Sequence, residues 1–156
     1  MHLAQLNIGR FRYPIDDPGM AEFRDNLDRV NAIADRSPGF VWRLKGENNN
    51  ATQFRISDDP QMAINLSVWS SSRALEDYVF KTVHAQFYRK RASWFEKMDK
   101  PHMVFWWVEE GHEPTVGEAL ERLEHLTRHG ATDHAFGWAE VIDSNRWRAQ
   151  RCGTGG

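Results

Sequence analysis

The chain has 156 residues, with 20 Lys+Arg against 22 Asp+Glu and a formal net charge of −2. That length holds one domain with a real core, and the balanced charge removes the electrostatic case for a nucleic-acid partner. The single cysteine, Cys152, excludes a disulfide within the chain and a cysteine-based metal cluster, and no segment approaches the roughly 18 apolar residues of a membrane span. The opening residues, MHLAQLNIGRF, show no basic stretch leading into an apolar one, so the expectation is a cytoplasmic protein with no membrane partner.

Residues 3–11 predict a first strand, in which Leu6 and Ile8 alternate with Gln5 and Asn7. A turn-rich connection ends at Asp17, an N-cap, with Pro18 at the first helical position. The helix that follows is predicted over 18–37, with Phe23, Leu27, Val30, Ile33 and Ala34 as its apolar stripe, and Ser37-Pro38-Gly39 stops it. Residues 40–44 predict a second strand. Residues 46–50 form a polar turn, 52–56 a returning strand or extended edge, and 58–60 a break. Residues 62–69, MAINLSVW, are the clearest strand, and the serines at 70–72 start helices over 73–80 and 82–98. Residues 101–108 predict a strand apolar on both faces, as a sheet buried between two layers requires. A further helix runs to 129 from a start at 113–115, with Val116, Leu120, Leu123 and Leu126 on its dry side and Gly130 at its end. Residues 136–142 read as a short strand and 144–156 as a flexible tail.

The element order is β-α-β-(β)-β-α-β plus an appended helix. This is the α+β, ferredoxin-like split βαβ pattern, as one domain over residues 1–143 that includes the helix at 114–129. The first and third strands take the centre of the sheet and two helices cover one face. A second copy of the sheet is expected on the other face, which makes a homodimer.

The candidate site starts from the 84–98 helix. At about 100° per residue, His84, Phe87, Tyr88, Arg91, Trp94, Phe95 and Met98 fall on one stripe. An arginine among large apolar residues costs free energy unless it is paired or faces a wet cavity. Gln5 and Asn7 share one face of the first strand; Asn65, Ser67 and Trp69 share one face of the third. Polar residues on central strands must each find a partner. If both sets face the helices, they lie opposite His84 and Arg91 and floor a small-molecule pocket with Tyr88 and Trp94 in its walls. If they face the other way, they form a polar network in the dimer interface. The bland alternatives are a helix-start His84 bonded to backbone and an Arg91 salt-bridged to Asp28 or Asp77. Trp42, Trp69, Trp94, Trp106 and Trp107 read as core and interface, with one or two of them left to stack on a planar ligand. His125 and His129, at i and i+4, have metal-chelating spacing but no third ligand nearby, so no metal site is expected.

The run LSVWSS before a helix, then H-x6-R-x2-W-F and the strand VFWWV, resembles an uncharacterised bacterial family, domain of unknown function 3291, of the dimeric α/β-barrel superfamily. The resemblance covers about residues 3–138. Its best-known relatives are the antibiotic-biosynthesis monooxygenases, and the resemblance implies a ferredoxin-like dimer that oxidises a polyphenolic substrate with O₂ and without metal or flavin. The expected function is a small-molecule-binding dimer for a hydrophobic or aromatic ligand, of the cofactor-free monooxygenase or isomerase type. It acts on an oxygenated aromatic or enolisable substrate, with His84 taking the proton and Arg91, with Asn65 or Gln5, stabilising the anion. The same superfamily leaves two alternatives: a haem-binding or haem-degrading protein with His84 as proximal ligand, and a non-catalytic ligand-binding dimer.

Overall fold

The computed structural model describes residues 1–45, 61–82, 84–98 and 100–142, except for the side chains of His84, Phe87 and Tyr88. In chain order the elements are β1 (His2–Arg10), a 3-10 turn (Pro18–Met20), α1 (Ala21–Arg36), β2 (Phe40–Arg43), β3 (Met62–Trp69), α2 (Ser72–Lys81), α3 (His84–Arg89), α4 (Arg91–Trp94), β4 (Met103–Val108) and α5 (Val116–His129). The strands form one antiparallel sheet in the order β2-β3-β1-β4, with β1 and β3 central as the split βαβ pattern predicts. The expected turn at 46–50, strand at 52–56, break at 58–60 and tail at 144–156 lie outside the described residues.

The helix starts follow from their caps. Asp17 accepts from the Gly19 amide at 2.8 Å, and Pro18 opens the 3-10 turn that leads into α1. Ser71 caps α2 through the Ala74 amide, and Thr115 caps α5 through the Glu118 amide. Gly130 closes α5 at φ 73°.

The two sheet faces carry different cores. One buries Ala4, Leu6, Ile64, Leu66, Val68, Val104, Trp106 and Val108, with Ala119 and Leu123 of α5 packed on them. In this chain α5 packs on the β1 and β4 part of this face, where the sequence reading expects a second copy of the sheet. The dry side of α5, read in the sequence as an appendage, has this sheet face as its partner. Trp106 is fully buried, and its indole Nε1 donates to Glu118 of α5 at 2.9 Å.

The opposite face meets α1 and α2 at one end, where Leu3, Trp69 and Phe105 pack with Val30, Ala34, Leu75 and Tyr78. At the other end, Phe11, Met20, Phe23 and Trp94 form a separate aromatic cluster. The Phe95 ring lies against Gly9, where a Cβ would stand 2.6 Å from it. Glycine is therefore what lets Phe95 reach the strand.

Two expectations are corrected. The single helix over 82–98 does not form. It breaks at Lys90 (φ −88°, ψ 2°) into α3 and the one-turn α4, and Phe95 is extended. Strand-like pairing with the end of β1 overrides helical continuation: Arg12 N donates to Trp94 O and Glu96 N to Arg10 O, both at 2.8 Å. Lys90 also pairs with Glu22 of α1. A straight helix could not offer these backbone groups to β1 while also burying both Trp94 and Phe95. The strand predicted at 136–142 reduces to a single bridge between Phe136 and Phe105, and residues 138–142 are helical. There Trp138 stacks on Phe105 with ring centroids 5.3 Å apart.

Candidate functional site

Alternation along β1 and β3 places Gln5, Asn7, Asn65, Ser67 and Trp69 on the side facing α1 and α2, the first of the two orientations the sequence leaves open. They occupy the middle of that side, between the α1–α2 core and the aromatic cluster. Gln5 stands opposite Ser67, and Asn7 opposite Asn65. The Gln5 amide donates to Asn65 Oδ1 at 2.5 Å and to Ser67 Oγ at 2.7 Å, so both its N–H groups are used. Trp69 Nε1 also donates to Ser67 Oγ, at 3.0 Å.

This network has a chemical consequence. With its oxygen held by Gln5, the Asn65 side chain presents its NH₂ group on the other side. Asn65 is exposed and Asn7 partly so, while Gln5 and Ser67 are buried. The floor therefore ends in an oriented amide donor that solvent, or a ligand, can reach. Gln5, itself buried, holds the Asn65 oxygen and so orients that donor.

The predicted wall residues take other places. Trp69 is 1% exposed and stacked on Tyr78 at 5.0 Å, so it anchors Ser67 and has no open face for a ligand. Trp94 is 2% exposed, edge-on to Phe23 at 5.6 Å within the aromatic cluster. Arg91 is exposed on α4 and does not share an inward stripe with a buried Trp94 in the way one straight helix would impose. Neither acid suggested as its partner is buried: Asp28 is exposed, and Asp77 pairs with Arg73 and Lys81 of its own helix. His84 and Tyr88 lie on α3. Along the chain α3 lies between α2, at one packed end, and Trp94 and Phe95, at the other, and it contacts α2 and α4. The backbone of α3 thus belongs to the stretch that crosses between the two packed ends.

Sequence reasoning missed a buried cation. Arg43 of β2 is 5% exposed and sits beside Ser67 in the sheet. Its guanidinium grips Asp35 of α1 through Nε at 2.8 Å and Nη2 at 3.2 Å. Register shifts between Phe40 and Trp42, which puts Arg43 on the same side as Phe40 despite their odd spacing. Simple alternation would place it on the other face. The signal available in the sequence was an arginine inside an otherwise apolar strand, FVWRL. Tyr78 lies near this pair, with its hydroxyl donating to Val30 O at 3.2 Å. Burial first, and Asp35 with it, hold the Tyr78 phenol well above its ordinary pKa against the opposing pull of Arg43. Tyr78 is therefore a neutral donor and not a base at any physiological pH.

Among the described residues, no group of three or more His, Cys, Asp or Glu is placed to hold a metal ion, and no helix is long and apolar enough to cross a membrane.

Comparison with known proteins gives a family and a fold. The family model described as Domain of unknown function (DUF3291) matches residues 2–152. Among curated proteins, no sequence relative matches. Of solved structures, the chain is similar to SnoaB, a cofactor-independent oxygenase from Streptomyces nogalater. Identity is 16% and TM-score 0.50 over 70% of this chain and 94% of that one. It is also similar to NE2512, a protein of unknown function from Nitrosomonas europaea, at 14% identity and TM-score 0.48 over 73% and 95% of the two chains.

Proposed function

The chain belongs to the DUF3291 family, and from that premise we propose that it is a small-molecule-binding protein of the cofactor-independent monooxygenase type, acting on a planar, oxygenated aromatic or enolisable compound. One observation carries the reading: the hydrogen-bonded Gln5–Asn65–Ser67 row on the central strands, which costs stability in a purely structural core and here ends in an accessible, oriented amide donor. The likeness in fold to a cofactor-independent oxygenase supports it. We read residues 1–143 as one ferredoxin-like unit.

In this reading the ligand lies over the row between the two packed ends. Asn65 Nδ2 donates to the substrate oxygen on which negative charge develops. His84 on α3 takes the substrate proton, and Tyr88 completes the site. The delocalised anion then reduces O₂ directly. A C–O bond forms, the substrate carbon is oxidised, dioxygen becomes a hydroperoxide, and loss of water leaves a carbonyl. Arg91, on the solvent side, meets the anion at the mouth. Arg43 is already neutralised by Asp35, so it holds the floor and does not capture a ligand carboxylate.

The test uses purified protein, a panel of planar hydroxyarenes and enolisable diketones, tryptophan fluorescence for binding and an oxygen electrode for turnover. The expected result is binding with O₂ uptake in the absence of added metal or flavin. Asn65→Ala weakens binding or turnover about tenfold or more, while its cost in stability stays at about 1–3 kcal/mol, the price of leaving one Gln5 N–H without its acceptor. His84→Ala abolishes uptake and spares binding. Binding without uptake in every case leaves the non-catalytic ligand-binding reading, and a Soret band on hemin titration that disappears in His84→Ala replaces the proposal with haem binding. Equal affinity and turnover in Asn65→Ala would overturn the role of the polar row.

A further inference from the structure

After Gly130 the chain folds back, and residues 131–142 are fastened to the edge of β4 along their length. Glu121 and Arg122 of α5 clamp His134: its Nε2 lies 2.9 Å from each Glu121 oxygen, and Arg122 Nη1 donates to its carbonyl at 2.9 Å. Phe136 exchanges backbone hydrogen bonds with Phe105 at 2.9 and 3.0 Å, Trp138 stacks on Phe105, and Val141 is buried. The surface this segment presents is therefore preformed.

Between the segment and the start of α2 lies a cleft of about 340 Å³. Trp107, Phe136 and Val141 give it an apolar wall, with the Trp107 and Phe136 rings 6.1 Å apart and tilted by 41°. Both aromatic residues are only half-buried, which leaves part of each ring open to the cleft. Ser72, buried in the first turn of α2, also lines it. The charged groups of the lining are Asp133 and Glu140, and no lysine, arginine or histidine among the described residues joins them. Asp133 is exposed and enters no ion pair among the described residues. Glu140 is held in place, because one of its oxygens accepts from the Gly137 amide at 2.9 Å; the other can take a second donor. No residue of the polar row lines this cleft. Trp107 stands two positions along β4 from Phe105, the neighbour of Gln5.

We propose that this cleft is a second binding site, for a small organic cation: an ammonium group carried on a flat apolar body. The apolar wall makes it a ligand site, and the charge of the lining selects the ligand. Aromatic faces carry negative potential, so Trp107 and Phe136 attract a cation as well as an apolar surface. Asp133 and Glu140 add to that attraction and repel an anion. Exposed carboxylates alone would hold a cation weakly and lose it to salt, so the rings supply the contact and the acids the preference. The volume lies at the small end of ligand pockets, which fits a metabolite-sized molecule and not a polypeptide chain.

The test is a titration of the isotope-labelled full chain, read at its backbone amide and indole N–H resonances. The probes are phenethylammonium, neutral phenethyl alcohol and anionic phenylacetate, which are similar in size. The ammonium is expected to shift the Trp107 indole and the amides of 131–141, and to bind about tenfold tighter than the alcohol at low salt. Phenylacetate should leave these resonances in place, and added salt should shrink the preference for the ammonium. Asp133→Asn combined with Glu140→Gln, which keeps an acceptor for the Gly137 amide, should bring the ammonium down to the affinity of the alcohol. Unchanged binding of the alcohol shows that the cleft is intact in that variant. Asn65→Ala should not alter the ammonium affinity, so the result stands or falls apart from the polar row. The proposal is overturned if about 10 mM ammonium leaves the Trp107 indole unmoved. Equal binding of the three probes, a preference that survives the double variant, or its loss in Asn65→Ala also overturns it. If the double variant does not fold, the ranking of the probes and its salt dependence in the wild type decide the matter.

Discussion

The two faces of one sheet are built from alternate residues of the same strands, yet they differ in kind. Leu6, Leu66, Val104 and Trp106 on the α5 side are apolar, fully or almost fully buried, and packed against a helix. On the α1–α2 side, the neighbouring positions Gln5, Asn65 and Ser67 are polar and bonded to one another, with Asn65 open to solvent. Burial of the apolar face stabilises by roughly 25 cal/mol per Å². The polar row contributes little net stability, because each hydrogen bond replaces one to water. The α5 side is therefore apolar throughout, whereas the α1–α2 side keeps its core at two ends and gives up core area to a polar row between them.

That comparison can be tested from its strongest side downward. Trp106→Ala empties the centre of the apolar face and strands Glu118, so it should cost about 3–5 kcal/mol in urea unfolding. A cost within about 1 kcal/mol would mean that α5 does not pack on Trp106. Gly39→Ala tests the junction between the helix layer and the sheet. Its φ is +83° and an added Cβ would stand 2.3 Å from the Ala74 Cβ, so a loss of about 2 kcal/mol or more is expected in the same assay. Gln5→Leu should have the smallest effect on stability, about 1 kcal/mol in either direction. By making one face resemble the other it should still lower ligand affinity about tenfold, because the Asn65 amide loses the partner that orients it. If Gln5→Leu keeps full affinity, the two faces do not differ in function.

Much of the architecture was legible in the chain because it rests on local chemistry. Met62–Trp69 and its alternation, the caps at Ser71 and Thr115, and the order of strands and helices follow from period, capping and turn residues. The polar residues of the row were also legible, as side chains unexpected on central strands. Their orientation was not, since a period of two names two faces without saying which one a helix covers. Arg43 escaped for a similar reason, because a register shift changes the parity of β2 and no residue type in FVWRL announces it.

The segment from 84 to 98 shows where sequence periodicity stops deciding. Its apolar stripe is real, but a helix is held by weak local preferences of a few tenths of a kcal/mol per residue. Against these stood the burial of Trp94 and Phe95, the backbone pairing with Arg10 and Arg12, and a glycine at position 9 that leaves room for a ring. By itself the sequence determined which elements exist and which residues are too polar for a dry core. The tertiary structure decided which face they meet, that α5 packs on β1 and β4, and where the helix must break, because those outcomes depend on contacts between residues far apart in the chain.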